Sequence, residues 1–217
     1  NSKPPRKIGR HLQLFDCVTC DKCIPACPND ANFTFVLPAK EISIVKVRRN
    51  GSDWEWRREG SLAASQKHQI GTFSDLCNAC GNCDVFCPED GGPYVIKPCF
   101  FGTEQAWQHD RAADGFFFSR AGDDDHLHGR FQGREYRVVL SRAEATTPSE
   151  KTVDDRFVRY SGPGFQLEWH TANPEATLRG EIETAEADLT FFHLMNCLYE
   201  AVCGPDAVNY VAARNWR

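Results

Sequence analysis

The chain has 217 residues, eleven cysteines and a net charge of −5. That length suits one or two domains, which bury roughly 70% of the surface the unfolded chain exposes. The acidic balance argues against a nucleic-acid binder, which shows a basic face. No apolar run reaches the ~20 residues that span a bilayer. The richest stretch, Leu189 to Val202, is interrupted by His193, Asn196 and Glu200.

In chain order, the sequence opens on Asn1, as a portion of a longer polypeptide would. Its first ten residues carry Lys3, Arg6, Lys7 and Arg10 with two prolines. They read as a solvated linker or tail, or as a basic arm for a partner. No apolar core follows these charges, so no secretory signal is expected, and the chain reads as soluble and cytoplasmic, from a reducing compartment.

Cys17, Cys20, Cys23, Cys27 and Pro28 then form the run C-x-x-C-x-x-C-x-x-x-C-P, and Cys77, Cys80, Cys83, Cys87 and Pro88 repeat it. Each run predicts a loop and a short helical turn, at Ile24 to Cys27 and Asp84 to Cys87, which the proline ends. Phe33, Phe35 and Leu37 alternate as in a strand, and Tyr94, Ile96 and Pro98 suggest another. Between the runs, Glu41 to Val47, Asn50-Gly51, and Trp54 and Trp56 spell a hairpin. The two tryptophans, expected exposed beside Arg48, Arg49, Arg57 and Arg58, read as a cross-strand aromatic pair or a partner-binding edge.

Beyond Phe101 the composition changes. Thr103 to Asp110 predicts a short helix and Gly115 to Ser119 a buried strand. Ala121 to Gly133 reads as a polar loop, and Arg134 to Leu140, Arg156 to Tyr160 and Phe165 to His170 as strands. The last element is a helix from about Glu186 to Val202, ended by Gly204-Pro205. Its apolar residues form two rows, so it packs against strands or a partner subunit. The fold class expected is α+β: a ferredoxin-like dicluster domain at 1–101 with a hairpin insertion at about 39–73, then a β-rich C-terminal interaction region at 102–217 ending in a helix.

The chemistry rests on the doubled cysteine run, which is the bacterial ferredoxin spacing for cubane iron–sulfur clusters. Structural zinc sites pair two short knuckles instead, and disulfide frameworks belong to small secreted domains. In two-cluster proteins the fourth cysteine of a run ligates the other cluster. The expectation is therefore two 4Fe-4S clusters with crossed ligands. Cys17, Cys20, Cys23 and Cys87 hold the first; Cys77, Cys80, Cys83 and Cys27 hold the second. Four thiolates saturate a cube, leaving it to carry electrons rather than bind substrate. Backbone N–H groups in Val18 to Lys22 and Asn78 to Asn82 are expected to bond the sulfurs, and Gly81 to admit close backbone approach. Ile24, Val85, Phe86, Phe33 and Tyr94 are expected to exclude water.

Cys99, Cys197 and Cys203 read as small buried hydrophobes. Asp123, Asp124, Asp125, His126 and His128 resemble no trusted metal spacing and read as solvated loop. Gly91-Gly92 does not make a dinucleotide fingerprint, because no strand precedes it and no helix is expected after it. With no nucleophile–base constellation either, the chain alone is expected to catalyse nothing, and no catalytic residue is assigned.

Cys77 to Phe101 carries a narrower pattern in Asn78, Cys80, Gly81, Asn82, Cys83, Phe86, Cys87, Pro88, Gly92, Pro93, Tyr94 and Lys97, supported by CPNDAN at Cys27 to Asn32. It resembles the C-terminal tail of the "putative selenate reductase subunit" family. These are FAD- and NAD(P)-dependent oxidoreductases whose core is similar to the small subunit of glutamate synthase. The resemblance implies an electron-transfer subunit or domain, with FAD and NAD(P) on a flavin-containing partner in a hetero-oligomeric oxidoreductase complex. The other readings are a free-standing ferredoxin shuttle and a structural or redox-sensing module.

Overall fold

The computed structural model describes residues 17–38, 41–88, 92–142 and 155–215. The basic segment at 1–10 lies outside them.

Prolines and glycines divide the first half. The first cysteine run closes on a short helix, α1 (Cys23–Ala26), and the turn at Pro28 leads into strand β1 (Asn32–Phe35). The hairpin follows as β2 (Glu41–Asn50) and β3 (Asp53–Ala63), with Gly51 at φ 63° taking the left-handed turn position. Strand β4 (Gln69–Phe73) and a 3-10 turn (Ser74–Leu76) enter the second run, which contains α2 (Asn82–Phe86). Next come α3 (Pro93–Ile96), β5 (Cys99–Phe101) and α4 (Glu104–His109), whose Thr103 side chain caps the Ala106 N–H.

The second half is built from longer strands: β6 (Gly115–Ala121), β7 (Asp124–Phe131), β8 (Arg134–Arg142), β9 (Arg156–Gly162) and β10 (Phe165–His170). A helical turn, α5 (Pro174–Thr177), precedes β11 (Arg179–Ile182) and β12 (Ala187–Asp188). Helices α6 (Thr190–Cys203) and α7 (Tyr210–Asn215) complete the described chain.

Nine strands make one sheet in the order β1-β4-β5-β6-β7-β8-β9-β10-β11. Strands β4, β5 and β6 run parallel and the other pairs antiparallel. The sheet therefore passes from the cysteine half into the C-terminal half without a break. Strand β4 carries that junction, and all five of its residues are buried. A Cβ at Gly71 would stand 2.9 Å from the Phe100 ring and 3.1 Å from Phe33, so glycine there lets the rings of Phe33, Phe35 and Phe100 close over the strand. The hairpin belongs to a second sheet, β12-β2-β3, where Ala187 pairs with Val47.

Several expectations change here. The chain after the second run is helical at Pro93–Ile96, not extended, because Pro93 occupies the first turn and its fixed φ suits a helix start. The supposed loop at 121–133 contains β7. Asp125, Leu127, Gly129 and Phe131 alternate inward, a period-2 pattern disguised by glycines and acids. The last helix begins at Thr190 rather than Glu186, since Ala187–Asp188 is spent on pairing with β2. Trp54 and Trp56 share one strand and are half-buried against the core, neither exposed nor a cross-strand pair; Arg49 covers Trp54, its Cζ 4.8 Å from the ring centroid.

The main core lies between one face of the large sheet, the hairpin and α6. Phe116, Phe118, Leu127, Val138, Val158 and Tyr160 meet Phe192, Met195, Leu198 and Val202, all nearly inaccessible. Both apolar rows of α6 are thereby covered within this chain, each large side chain contributing about 1.5–3 kcal/mol. The width of the helix face is explained by its own strands. The opposite face is covered near β5 and β6 by α4, where Trp107, Phe101, Phe117 and Cys99 pack together. There the guanidinium of Arg130 lies 4.0 Å from the Trp107 ring centroid and donates to the carbonyls of Asp110 and Ala113. No helix among the described residues is long and apolar enough to cross a membrane.

Candidate metal centre

Both cysteine loops depend on left-handed backbone. In the first, Thr19 and Asp21 have φ of 50° and 59°; in the second, Ala79 and Gly81 have 53° and 78°. The correspondence is residue for residue, two positions after the first cysteine and one after the second. It turns an N–H back onto sulfur in each loop. Thr19 N–H donates to Cys17 Sγ at 3.3 Å, and Ala79 N–H donates to Cys77 Sγ at 3.5 Å. Ala31 N–H, beyond the expected stretch, donates to Cys27 Sγ at 3.3 Å.

The sequence placed these sulfurs in two crossed sets. In the structure Cys17, Cys20, Cys23 and Cys87 line one recess, together with Val18, Asp21, Ile70, Pro93 and Lys97. Cys27 is not among those residues. It acts instead on the thiols of Cys77 and Cys83, raising both. The two runs meet closely, however, for Cys83 also acts on Cys23. Among the described residues no three Cys, His, Asp or Glu side chains converge tightly enough to hold a single metal ion. A cubane cluster makes a different demand, since it takes its four thiolates at four corners.

Burial acts on three of these sulfurs. Burial, then the neighbouring Cys17 and Cys83, push the Cys23 thiol up to about 12. Burial also raises Cys77 and Cys83, while the Asn32 side chain and a backbone hydrogen bond partly offset the rise at Cys83. Burial thus favours the protonated thiol at Cys23, Cys77 and Cys83. Cys17, Cys20, Cys23, Cys27, Cys77, Cys80, Cys83 and Cys87 would hold iron as thiolates, and its binding would be coupled to proton release and folding. The donor set, the recess and the N–H···S bonds all fit 4Fe-4S clusters.

Some supports were not legible. Asn32 ties the runs to the sheet: its amide donates to the Cys23 carbonyl at 2.9 Å, and it accepts from Thr72 Oγ1 at 2.8 Å. The segment after β3 straps the first loop from outside. His68 Nε2 lies 2.7 Å from Asp21 Oδ1, and Thr19 Oγ1 donates to Gln66 Oε1 at 3.4 Å. A lone His and Gln some 45 residues away give no sequence signal. The water-excluding role assigned to five residues is corrected in part. Ile24 and Tyr94 pack on Cys23, Ile70 and Cys83, but Phe33 belongs to the main core, and Val85 and Phe86 are 57% and 58% exposed. Helix α2 is too short to bury both of its sides.

Cys99, Cys197 and Cys203 are buried among apolar side chains, as expected of small hydrophobes, and burial pushes the Cys99 thiol up to about 12. Asp123 lies exposed in the turn before β7, as expected of a solvated loop, whereas Asp124, Asp125, His126 and His128 are dispersed along the strand. Asp125 is buried and paired with Arg120 at 2.6 Å and Arg156 at 3.3 Å, Asp124 pairs with Arg159 at 3.1 Å, and His128 lies against Phe117. A larger hollow of about 760 Å³ lies on the outer face of β7–β11, where much of the lining charge is paired within the chain.

Residues 13–90 match the 4Fe-4S dicluster domain, a little over a third of the chain. Two curated relatives share 29% identity with it over 86 residues, 40% of this chain. They are named "Putative oxidoreductase YgfK", from Escherichia coli strain K12 and from Escherichia coli O157:H7. The matched stretch spans 6% of the length of either. No solved structure matches significantly. Residues 13–90 are thus an iron–sulfur region of 4Fe-4S dicluster type.

Proposed function

We propose that the chain is an electron relay holding two 4Fe-4S clusters. Cys17, Cys20, Cys23 and Cys87 bind the first, and Cys77, Cys80, Cys83 and Cys27 the second. The observation that carries this reading is the shared recess of the first four sulfurs, from which Cys27 is missing. Each cluster, when bound, supplies reversible one-electron chemistry. The cysteines fix it in place and the N–H groups of Thr19, Ala31 and Ala79 spread charge from the sulfurs. Asn32 and β4 hold the two runs against each other, which keeps the path between the sites short.

The partner in this reading is a flavin-containing oxidoreductase subunit or domain carrying FAD and NAD(P), as in the selenate reductase-like proteins the second run resembles. Support comes from the oxidoreductase relatives and from Val18, Val85 and Phe86, which are more than half exposed beside the cysteines. The covered face of α6 lends none. Anaerobic reconstitution of the chain tests the proposal. About eight irons and eight sulfides per chain, with EPR signals of two interacting reduced clusters, are expected. Tight binding of one or two zinc ions in place of iron would overturn it.

A further inference from the structure

We propose that Lys97 is a counter-charge built into the first sulfur site, raising the reduction potential there above that at the second. The inference rests on the two-cluster reading and deepens it. Lys97 lines the same recess as Cys17, Cys20, Cys23 and Cys87. It is 3% exposed, and its Nζ is shielded from solvent.

Lysine is almost never buried this far unless paired, because desolvating an ammonium costs several kcal/mol. The backbone keeps it there. Lys97 N–H donates to the Pro93 carbonyl at 3.0 Å, closing α3, and the next residue's carbonyl, Pro98 O, accepts from Thr72 N–H at 2.8 Å. Lys97 is thus pinned between a helix end and strand β4, in the recess that the sulfurs line. Four thiolates around a cubane leave it dianionic when oxidised and trianionic when reduced. A nearby cation favours the more negative state, and does so strongly where the dielectric is low. The second run has a charge of the opposite sign, the buried carboxylate Asp84, directly after Cys83.

Lys97 therefore makes the first site the place where electrons collect. With both clusters bound, an electron would pass from the second site to the first, with no bond broken and no proton required.

The test uses the full reconstituted chain with an EPR-monitored redox titration of the wild type, Lys97→Met, Lys97→Gln and Lys97→Arg. Wild type should show two unequal midpoints. Lys97→Met and Lys97→Gln should lower the higher one, so that the ratio of reduced first to reduced second cluster falls about tenfold, ~59 mV for one electron. Lys97→Arg should keep the wild-type order. In a Cys87→Ala background, which removes a ligand of the first cluster, Lys97→Met should leave the second midpoint unmoved. Unchanged midpoints at full iron, or a shift in the second cluster alone, would overturn the inference while leaving the two clusters standing. A wild-type chain that binds no iron would remove the functional reading itself.

Discussion

The two cysteine loops share one spacing and one backbone path but are stabilised differently. The second places Gly81 at φ 78°, where glycine pays nothing in side-chain sterics. The first places Asp21 at φ 59°, a conformation an L-residue adopts at a cost of ~1–2 kcal/mol. It offsets that cost with the His68 contact to Asp21 and the Gln66 bond to Thr19. The same ligand geometry can thus be reached by a permissive residue or by a strap from elsewhere. The strap brings its hydrogen bonds to one site only, which makes the two sites chemically unequal.

The largest expected effect breaks the symmetry between the loops outright. Cys27→Ala should lose about half of the ~8 irons, and the cluster lost should be that of Cys77, Cys80 and Cys83. Iron analysis with EPR checks this. Cys87→Ala should do the converse, whereas Cys99→Ala, Cys197→Ala and Cys203→Ala should leave iron unchanged.

A control remote from both loops comes next. Burial, then Arg137 and His126, hold His128 down at about 4. Below the ordinary value of ~6.5 the unfolded chain takes up a proton that the folded chain refuses, so stability falls as pH drops from ~6.5 toward ~4. The loss should reach ~2–3 kcal/mol, and His128→Phe, which keeps the contacts with Phe117 and Trp107, should abolish that component in thermal melts. Both loops should bind iron normally in that variant at neutral pH.

Gly81→Ala should then cost the second loop ~1–2 kcal/mol, from backbone strain alone, because nothing lies within 4 Å of the added Cβ. His68→Ala should have the smallest effect, ~1 kcal/mol, seen as faster oxygen loss of the first cluster with the second unaffected. Equal loss from both clusters would mean that the strap does not distinguish them.

These contrasts also show what the sequence discloses. Ligand chemistry dictates spacing, so the eight cysteines and the turns after them are visible without structure. Alternating β-branched and aromatic residues reveal β2, β8, β9 and β10 for the same kind of reason. Strand β7 is hidden because Gly122, Gly129 and Gly133 imitate a loop, while its inward Asp125 is paired with Arg120 of β6 and with Arg156 of β9, which is distant in sequence and strand order. Pro93 misleads because the same fixed φ serves a turn, a strand edge or a helix start. Lys97, His68 and Asn32 act through topology. Asn32 and Lys97 follow the two runs in the chain, but nothing in the sequence says which sulfurs they meet; the pairing of β4 with β1 and β5 brings them to one place.

The central claim is crossed ligation of two cubane clusters, and diffraction from anaerobic crystals of the reconstituted chain at the iron absorption edge tests it most directly. Two separate iron centres are expected, one bonded to Cys17, Cys20, Cys23 and Cys87 and the other to Cys77, Cys80, Cys83 and Cys27. A centre held wholly by Cys17, Cys20, Cys23 and Cys27, or a single centre shared by both runs, would contradict the account.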